Sequence, residues 1–356
     1  MNKFKIGSKK IGFNSPTYFI ADIAANHDGD LNKAIDLIHS CAEAGADAAK
    51  FQHFSAETIV SDKGFKNLNK RFLSHQKKWK KSVFEVYKDA SINLKWTAKL
   101  KQACTDANID FLSTPYSYLL ADHLYKYIPA YKIGSGDANW IEFISYVAKK
   151  RKPVLIATGA TKMVEVENLI KSIQKINRKI VLMQCNTNYT GSENNLKYIN
   201  LNVLKTYKKK FPNLILGLSD HTFGHSSVLG AISLGARVIE KHYTMNNDQI
   251  GPDHYFSMNP FTWKEMINRS RELENCLGSN IKKVEYNEID TVILQRRSAH
   301  AKRDIKKNEK IRKDDIEFLR PSPKNSFKPG EINKIINKKS KKFISKGSTI
   351  FYKDVF

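Results

Sequence analysis

Three observations predict an α/β fold, a (β/α)8 TIM barrel followed by a small β-rich C-terminal domain. Runs of β-branched and aliphatic residues alternate with helix-like stretches, which is the pattern of strand–helix units around a parallel sheet. There are eight such runs, the number that closes this type of barrel. Beyond about residue 260 the composition changes to lysine-rich sequence with proline and glycine turns, which predicts a second unit.

The eight predicted strands are continuous apolar runs, as expected for strands that are covered on both faces. They comprise residues 17–25, 46–52, 109–114, 129–135, 153–159, 179–185, 213–219 and 236–242.

Helices are predicted between the strands. The apolar residues from Leu31 to Ala42 share one helical stripe, with Asp30 as the N-cap and Gly45 at the end. Residues 225–235 predict a helix before the eighth strand. The stretch 61–95 is rich in lysine, carries scattered aromatic residues and is too long for a plain barrel loop, so we interpret it as a helical insertion over one barrel end.

The barrel and the second unit divide the chain. We expect residues 1–278 to form the barrel, with a last helix at about 261–276, and residues 279–296 to form a linker. Residues 297–356 contain short strand-like runs and turns at Pro321, Pro323 and Pro329–Gly330, which predict a small β-rich domain.

Composition excludes several classes of protein. The 356 residues are 41% hydrophobic and 27% charged, which excludes disorder and fibres. The net charge of +25 makes polyanions worth considering as partners, but no RNP-like or helix-turn-helix pattern accompanies the lysine runs, so we interpret them as a solvated basic face. The sequence has no apolar run of membrane-spanning or signal-peptide length and no C-x-x-C pair, which favours a cytoplasmic protein without structural zinc.

Polar residues follow the predicted strands where an active site would be built. In a (β/α)8 barrel the active site lies at the carboxyl ends of the strands. The residues predicted to gather there include Asp22, Lys50, Gln52, Lys132, Ser135, Thr158, Tyr189, Ser219, His221 and His242.

Two lysines, Lys50 and Lys132, lie inside otherwise apolar strands, where an unpaired ammonium group would be costly. Each therefore needs an anion. One interpretation is an ion pair with a strand carboxylate; the other is a bound phosphate or carboxylate, for which Ser135 and Ser219 would add hydroxyl donors.

His221 and His242 end adjacent strands, so their imidazoles can converge on one divalent metal ion with open positions. A lone histidine is more often a hydrogen-bonded core residue, but this pair, with Asp220 and Glu240 beside it, favours a metal. Cys185 also ends a strand; without an obvious base nearby, we interpret it as a small core residue.

The motifs ADIAANHDGD, GADAAKFQ, YKIGSGD, ATG, LSDHT, EKHYT and GPDHYFSMNP occur in this order between residues 17 and 260. In order and spacing they resemble the sialic acid (N-acetylneuraminate) synthase family, including legionaminic and pseudaminic acid synthases, which condense phosphoenolpyruvate with an N-acylated hexosamine. The tail from residue 297, with RRSAHAKRDIKKNEKI and FLRPSP, resembles the antifreeze-like (SAF) domain of that family.

The resemblance implies roles for individual residues. Residues corresponding to the phosphoenolpyruvate site are Lys50, Lys132, Ser135 and Ser219, with Thr158 as a substitute for a family serine. The ligands of Mn²⁺, or of another divalent metal such as Mg²⁺ or Co²⁺, correspond to His221 and His242. Residues corresponding to the sugar side are Asp22, Gln52, Tyr189, Asp253 and Arg320. Catalytic roles fall to Asp22, which would bind the sugar or move a proton, and to the two histidines. In the family the arginine comes from the partner subunit, which implies a domain-swapped homodimer.

Departures from the family pattern leave the sugar open. Asp22 stands where the family usually has Glu, Ala157 replaces a serine, and Thr190-Gly191-Ser192 replaces the usual turn after Tyr189. Both N-acetylmannosamine and the diacetamido-trideoxyhexoses that lead to legionaminic or pseudaminic acid are candidate substrates. The rival interpretations are a 3-deoxy sugar acid phosphate synthase, which would lack the C-terminal domain, a nucleic-acid binder, and a sugar-binding module without catalysis.

Overall fold

The computed structural model describes residues 3–69, 72, 73 and 75–356. The chain divides into two compact units, Met1–Gly278 and Ser279–Phe356.

Eight parallel strands of the first unit close into a barrel in chain order, with the last strand pairing with the first. They are β3 (Tyr18–Asp22), β4 (Ala48–His53), β5 (Asp110–Pro115), β6 (Tyr131–Ile133), β7 (Val154–Ala157), β8 (Ile180–Cys185), β9 (Ile215–Asp220) and β10 (Ala236–His242). Each lies within one of the eight predicted runs or extends it by one residue, so the predicted barrel is confirmed.

Helices surround the barrel, and most of them bury apolar residues in the core around it. They are α1 (Leu31–Glu43), α2 (Ala56–Ile59), α3 (Asp62–Asn67), α4 (Val83–Ala90), α5 (Thr97–Asp106), α6 (Tyr118–Leu124), α7 (Ile141–Lys149), α8 (Met163–Gln174), α9 (Val203–Lys210), α10 (Ser226–Ser233) and α11 (Pro260–Leu277). The Asp30 side chain caps α1 by accepting hydrogen bonds from the Asn32 and Lys33 amides, as predicted.

The predicted insertion between β4 and α5 is helical in its described part. It contains α3 and α4, with short 3₁₀ turns at His75–Lys78 and Leu94–Trp96. Residues 70, 71 and 74 of this stretch lie outside the described residues.

An N-terminal hairpin, β1 (Phe4–Ile6) and β2 (Lys9–Ile11), was not predicted. Its apolar side chains Phe4, Ile6 and Ile11 join the cluster that fills the barrel interior, where Tyr18 and Val238 also lie. A side chain is excluded at the hairpin turn because a Cβ on Gly7, which has φ +55°, would lie 2.0 Å from the Asp110 carboxylate. The hairpin therefore closes the amino-terminal end of the barrel.

The second unit has its own small core, built around isoleucines such as Ile305, Ile311 and Ile350. It contains the helix α12 (Ile289–Leu294) and an antiparallel pair, β11 (Ser298–Ala301) and β12 (Ile316–Leu319). Further isolated bridges join its turns, and this confirms the predicted β-rich character. Across the described residues of both units, every helix is too short or too polar to cross a membrane.

Candidate active site

Strand register brings the predicted polar residues together at the carboxyl end of the barrel. Asp22 of β3 is the register partner of both Lys50 on β4 and His242 on β10. Neighbouring strands carry Lys132 on β6 and Ser219 on β9, and all five side chains are buried.

Both strand lysines are paired with carboxylates. Lys50 Nζ lies 2.7 Å from Asp22 Oδ2 and 3.8 Å from Glu240 Oε1. Lys132 Nζ lies 3.0 Å from the same Glu240 oxygen, which also accepts a hydrogen bond of 3.1 Å from Ser219. Of the two interpretations of these lysines, the structure displays the strand ion pair, with two cations and two carboxylates in one buried network.

The network fixes the charge state of its members. Burial alone would raise the pKa of Asp22, but the ammonium group of Lys50 outweighs it and holds that pKa below its usual range. Burial alone would lower the pKa of Lys50, but Asp22 and Glu240 raise it. A protonated lysine and an ionised aspartate thus persist at neutral pH in a site that excludes bulk water.

The two histidines converge as predicted, with ring centroids 5.3 Å apart. His221 Nδ1 is 2.9 Å from the carbonyl oxygen of Asn186, which leaves Nε2 for another partner. His242 lies between two carboxylates, with Nε2 3.6 Å from Asp22 and Nδ1 3.9 Å from Asp253. Burial lowers the pKa of His242 to about 3, so this ring is neutral and able to donate a lone pair.

This donor set suits a divalent cation. Two imidazoles and nearby carboxylates are ligands that Mn²⁺ accepts. The Nδ1 atom of His242 is buried and has no hydrogen-bond partner among the described residues, as expected of a nitrogen that a metal would occupy. No cluster of three or more His, Cys, Asp or Glu side chains in the described part of the chain is arranged around one metal position. An ion held by His221 and His242 would therefore keep positions open for substrate.

Cys185 is buried in the core cluster inside the barrel, as the sequence predicts. It also lies within hydrogen-bonding reach of His221, a base that the sequence does not reveal. Burial alone would raise the pKa of the Cys185 thiol, but His221 lowers it. The sequence places these residues on different strands, so only the fold reveals the contact.

The predicted hydroxyl groups are held by hydrogen bonds. Ser135 Oγ accepts one of 2.9 Å from Thr187, which follows another predicted strand. Thr158 Oγ1 donates to the Met183 carbonyl oxygen at 3.0 Å and accepts from the Tyr207 hydroxyl at 3.0 Å. Ser135 thus lies on the barrel mouth beside Thr187, whereas Thr158 is tied into the barrel wall.

The predicted sugar-side residues Gln52, Tyr189 and Asp253 line one cavity together with His242. Gln52 Nε2 donates to Asp22 Oδ2 over 3.2 Å. The Tyr189 ring centroid lies 4.3 Å from that of His221. Burial and the neighbouring Asp22 raise the pKa of Asp253 to about 6.

The loop that carries Asp253 is pinned to the loop after β3. His254 Nε2 lies 3.2 Å from both carboxylate oxygens of Asp28, and its Nδ1 lies 2.6 Å from Thr244 Oγ1. Asp28 also pairs with Lys33 at the start of α1. Arg320, the remaining predicted sugar-side residue, is exposed in the second unit at the end of β12.

The profile of the NeuB family matches residues 37–282, and that of the SAF domain matches residues 296–355. The chain belongs to the NeuB family. The family resemblance and the second-domain assignment made from sequence motifs are thus confirmed.

Relatives within the NeuB family cover nearly the whole chain. It is 32% identical to the N,N'-diacetyllegionaminic acid synthase of Legionella pneumophila, over 98% of this chain and 97% of that protein. It is 30% identical to the pseudaminic acid synthase of Campylobacter jejuni, over 94% of this chain and 95% of that one. The solved N-acetylneuraminic acid synthetase of Leptospira borgpetersenii is similar with a TM-score of 0.71 and 27% identity, covering 82% of this chain and 95% of that one.

As a NeuB family member, the chain is an enzyme of the phosphoenolpyruvate-dependent synthase type, from the group that makes sialic, legionaminic and pseudaminic acids.

Sequence reasoning missed the counter-ion role of Glu240, although it noted that residue beside the histidines. The signal was available, because two buried lysines require about two buried anions, but the sequence does not say which strand carboxylates face inward.

Proposed function

We propose that this chain is a nonulosonic acid synthase that condenses phosphoenolpyruvate with an N-acylated hexosamine and releases phosphate. The observation that carries the proposal is the buried network of Lys50, Lys132, Asp22 and Glu240 next to the converging pair His221 and His242 in a NeuB family barrel. This arrangement offers cations for a phosphorylated acid beside a position where a carbonyl can be polarised.

Phosphoenolpyruvate would bind at the lysines. Lys50 and Lys132 would share their charge between the strand carboxylates and the phosphate and carboxylate of the substrate, with Ser135, Thr158 and Ser219 assigned to the same site. The lysines would also stabilise the anion that develops when water adds at C2 and phosphate leaves by cleavage of the C–O bond.

The sugar would bind above them. Asp22, Gln52, Tyr189 and Asp253 would orient the open-chain aldehyde so that its carbon meets C3 of phosphoenolpyruvate. Asp22, which is ionised beside Lys50, would bind the sugar or move a proton. His221 and His242 would hold Mn²⁺, or Mg²⁺ or Co²⁺ in its place, which when bound supplies Lewis-acid polarisation of the aldehyde.

Two sugars are candidates for the second substrate. Relatives of comparable identity are synthases of legionaminic and of pseudaminic acid, which supports a diacetamido-trideoxyhexose. N-acetylmannosamine is the other alternative, supported by the similarity to an N-acetylneuraminic acid synthetase.

We also assign Arg320 of a second copy to the sugar side, in a domain-swapped homodimer. The supports are the match to the SAF domain and the exposure of this arginine. Arg320→Ala is expected to raise the KM for the sugar with little change in the KM for phosphoenolpyruvate; equal effects on both would count against this role.

The four cysteines are unpaired, which supports a reducing, cytoplasmic location.

The test is phosphate release from phosphoenolpyruvate with Mn²⁺, run side by side with N-acetylmannosamine and the diacetamido-trideoxyhexoses, with EDTA as the control. Metal-dependent release with one sugar is expected and would fix the reaction and its product. No phosphate release with any N-acylated sugar, in a folded and metal-loaded sample, would contradict the proposal. That result would favour a phosphorylated aldose as the substrate or a non-catalytic role.

A further inference from the structure

The cavity of about 160 Å³ beside His242 is lined by two tyrosines that have no role in the proposed reaction so far. They are Tyr116, which directly follows β5, and Tyr87 of α4. We call them the tyrosine pair. Gln52 and Asp253 line the same cavity. The tyrosine pair therefore shares one space with residues that are assigned to the sugar.

Neither hydroxyl group of the tyrosine pair has a hydrogen-bond partner among the described residues, although both side chains are half-buried. Other tyrosine hydroxyls of the barrel are bonded: Tyr18 donates to Asp110 over 2.7 Å, and Tyr131 donates to the Ala121 carbonyl oxygen over 2.6 Å. Removing a hydroxyl group from bulk water costs free energy unless it finds a new partner. The tyrosine pair thus offers two unused donors to a ligand that enters the cavity.

Packing against one shared neighbour holds both rings in place. The Tyr116 ring meets the Phe54 ring edge to face, with centroids 5.8 Å apart and an angle of 87° between the planes. The Tyr87 ring lies 5.5 Å from the same Phe54 ring, measured between centroids. The backbone N–H of Tyr116 also donates to the His53 carbonyl oxygen at the end of β4, over 3.1 Å. A ligand would therefore meet two rings that are already ordered, which lowers the entropy lost on binding.

The Tyr116 hydroxyl lies beside the strand end that leads to the phosphoenolpyruvate site. A Cβ placed on Gly134 would be 3.1 Å from this hydroxyl oxygen, which is the atom nearest to it. Gly134 follows β6 and directly precedes Ser135, one of the residues assigned to phosphoenolpyruvate. The missing side chain at Gly134 leaves room for the phenol at this point. Tyr116 thus lies where the cavity approaches the position of the second reactant.

Both phenols are protonated at neutral pH. Burial raises the pKa of Tyr116 well above its ordinary value, and the nearby Asp137 adds to this rise. Burial also raises the pKa of Tyr87 to about 12, with Asp253 as a smaller cause. Within the described part of the chain, no lysine or arginine lines the cavity. Neutral donors without a cation suit the hydroxyl and N-acyl oxygen atoms of an uncharged sugar better than a phosphate group.

We infer that Tyr116 and Tyr87 bind the sugar, each donating a hydrogen bond from its hydroxyl group to an oxygen atom of the N-acylated hexosamine. This inference rests on the proposed function, and it adds two residues to the sugar side of the site. The tyrosine pair takes no part in the bond changes. It determines specificity, because a sugar that lacks the contacted oxygen would leave a phenol unpaired in the cavity.

The experiment measures the kinetics of Tyr116→Phe and Tyr87→Phe, each of which removes a single hydroxyl group. The probe is whichever of N-acetylmannosamine and the diacetamido-trideoxyhexoses supports phosphate release with Mn²⁺. Each variant is expected to raise the KM for this sugar about 5- to 20-fold, with the KM for phosphoenolpyruvate unchanged. A sugar KM unchanged in either variant would overturn the assignment of that tyrosine and leave the proposed function intact. No phosphate release by the wild type with any of these sugars would instead overturn the proposed function, and the inference with it.

The matched control is Tyr118→Phe. Tyr118 lies two residues after Tyr116, on α6, is 41% exposed and does not line the cavity. This variant should keep both KM values. Urea unfolding of Tyr116→Phe and Tyr87→Phe should match the wild type, because neither hydroxyl bonds to a described residue of the protein. A loss of stability together with an equal rise of both KM values would show a structural role and overturn the inference, as would a rise of the sugar KM in Tyr118→Phe equal to that in Tyr116→Phe.

Discussion

Lys241 and Asp220 face each other across β10 and β9 as register partners, with Nζ 2.6 Å from Oδ2. Both side chains are almost completely buried, at 1% and 0% exposure. Asp220 also accepts hydrogen bonds from Thr222 and Ser227, so its second oxygen is satisfied as well. Each member of this ion pair immediately precedes one of the two histidines of the site, so the pair ties together the strand ends that aim His221 and His242.

Lys241→Met is expected to lower the free energy of unfolding by about 3–5 kcal/mol, because it leaves the Asp220 charge buried and unpaired. Urea unfolding followed by circular dichroism measures the effect. The control is Lys66→Met, which removes an exposed ion pair with Asp62 on α3 and should leave stability unchanged. A Lys241→Met protein as stable as the wild type would show that the pair does not stabilise the barrel.

His221→Ala and His242→Ala should each abolish turnover while leaving the fold intact. Each removes one of two imidazoles whose ring centroids are 5.3 Å apart. Among the described residues, no cluster of three or more His, Cys, Asp or Glu side chains could hold the metal ion in their place. Phosphate release measures turnover, and equilibrium dialysis against Mn²⁺ gives bound metal independently of activity. Full activity in either variant would contradict the metal assignment.

Lys132→Met should raise the KM for phosphoenolpyruvate by about 100-fold, since a charge-assisted contact to the substrate anion is lost. It should also destabilise the fold, because Glu240 loses its partner at 3.0 Å. The double variant Lys132→Met/Glu240→Gln separates the two effects, since it removes both charges of this pair. Stability should recover in part, but the raised KM should remain. If the KM recovered together with stability, Lys132 would have a structural role alone.

His53 predicts a pH dependence of stability. It is buried between Ser113 and Thr97, with Nδ1 2.7 Å and Nε2 3.0 Å from their hydroxyl oxygens. Burial lowers the pKa of His53 to about 3 from 6.5. Between these two values the unfolded chain binds one more proton at this position than the folded chain does. The free energy of unfolding should therefore fall as pH decreases from 6.5 towards 3, by at most about 1.4 kcal/mol per pH unit.

Urea unfolding at several pH values in this window checks the prediction for His53. His53→Gln cannot take up this proton, so its stability should depend on pH with a slope lower by about one proton than that of the wild type. His39→Gln, at an exposed position of α1, should keep the wild-type slope. Parallel curves for wild type and His53→Gln would contradict the buried, neutral state of this ring.

The barrel could be predicted from sequence because its signal is local. Each strand is a short apolar run. The residue that caps a helix directly precedes it in the sequence, as Asp30 does for α1. The hairpin β1–β2 escaped prediction because each strand has only three residues and lysines interrupt its apolar positions, so its signal is weaker than that of any barrel strand.

The residues of the site were predictable, but most of their pairings were not. The meeting of His221 and His242 follows from adjacent strand ends and could be foreseen. In contrast, the pairing of Lys132 with Glu240 depends on strand tilt and stagger around the closed barrel, which no local pattern encodes. The same holds for Cys185 beside His221 and for Thr187 beside Ser135.

Phe4, Ile6 and Ile11 of the N-terminal hairpin pack into the apolar cluster inside the barrel, below the buried residues of the site. Lys50 and Lys132, which are assigned to phosphoenolpyruvate, are 2% and 3% exposed. Gln52 and Asp253, which are assigned to the sugar, line the cavity beside His242. A bound sugar would then stand in the path of phosphoenolpyruvate. If both reactants bind as proposed, we expect phosphoenolpyruvate to bind before the sugar and phosphate to leave after the new acid.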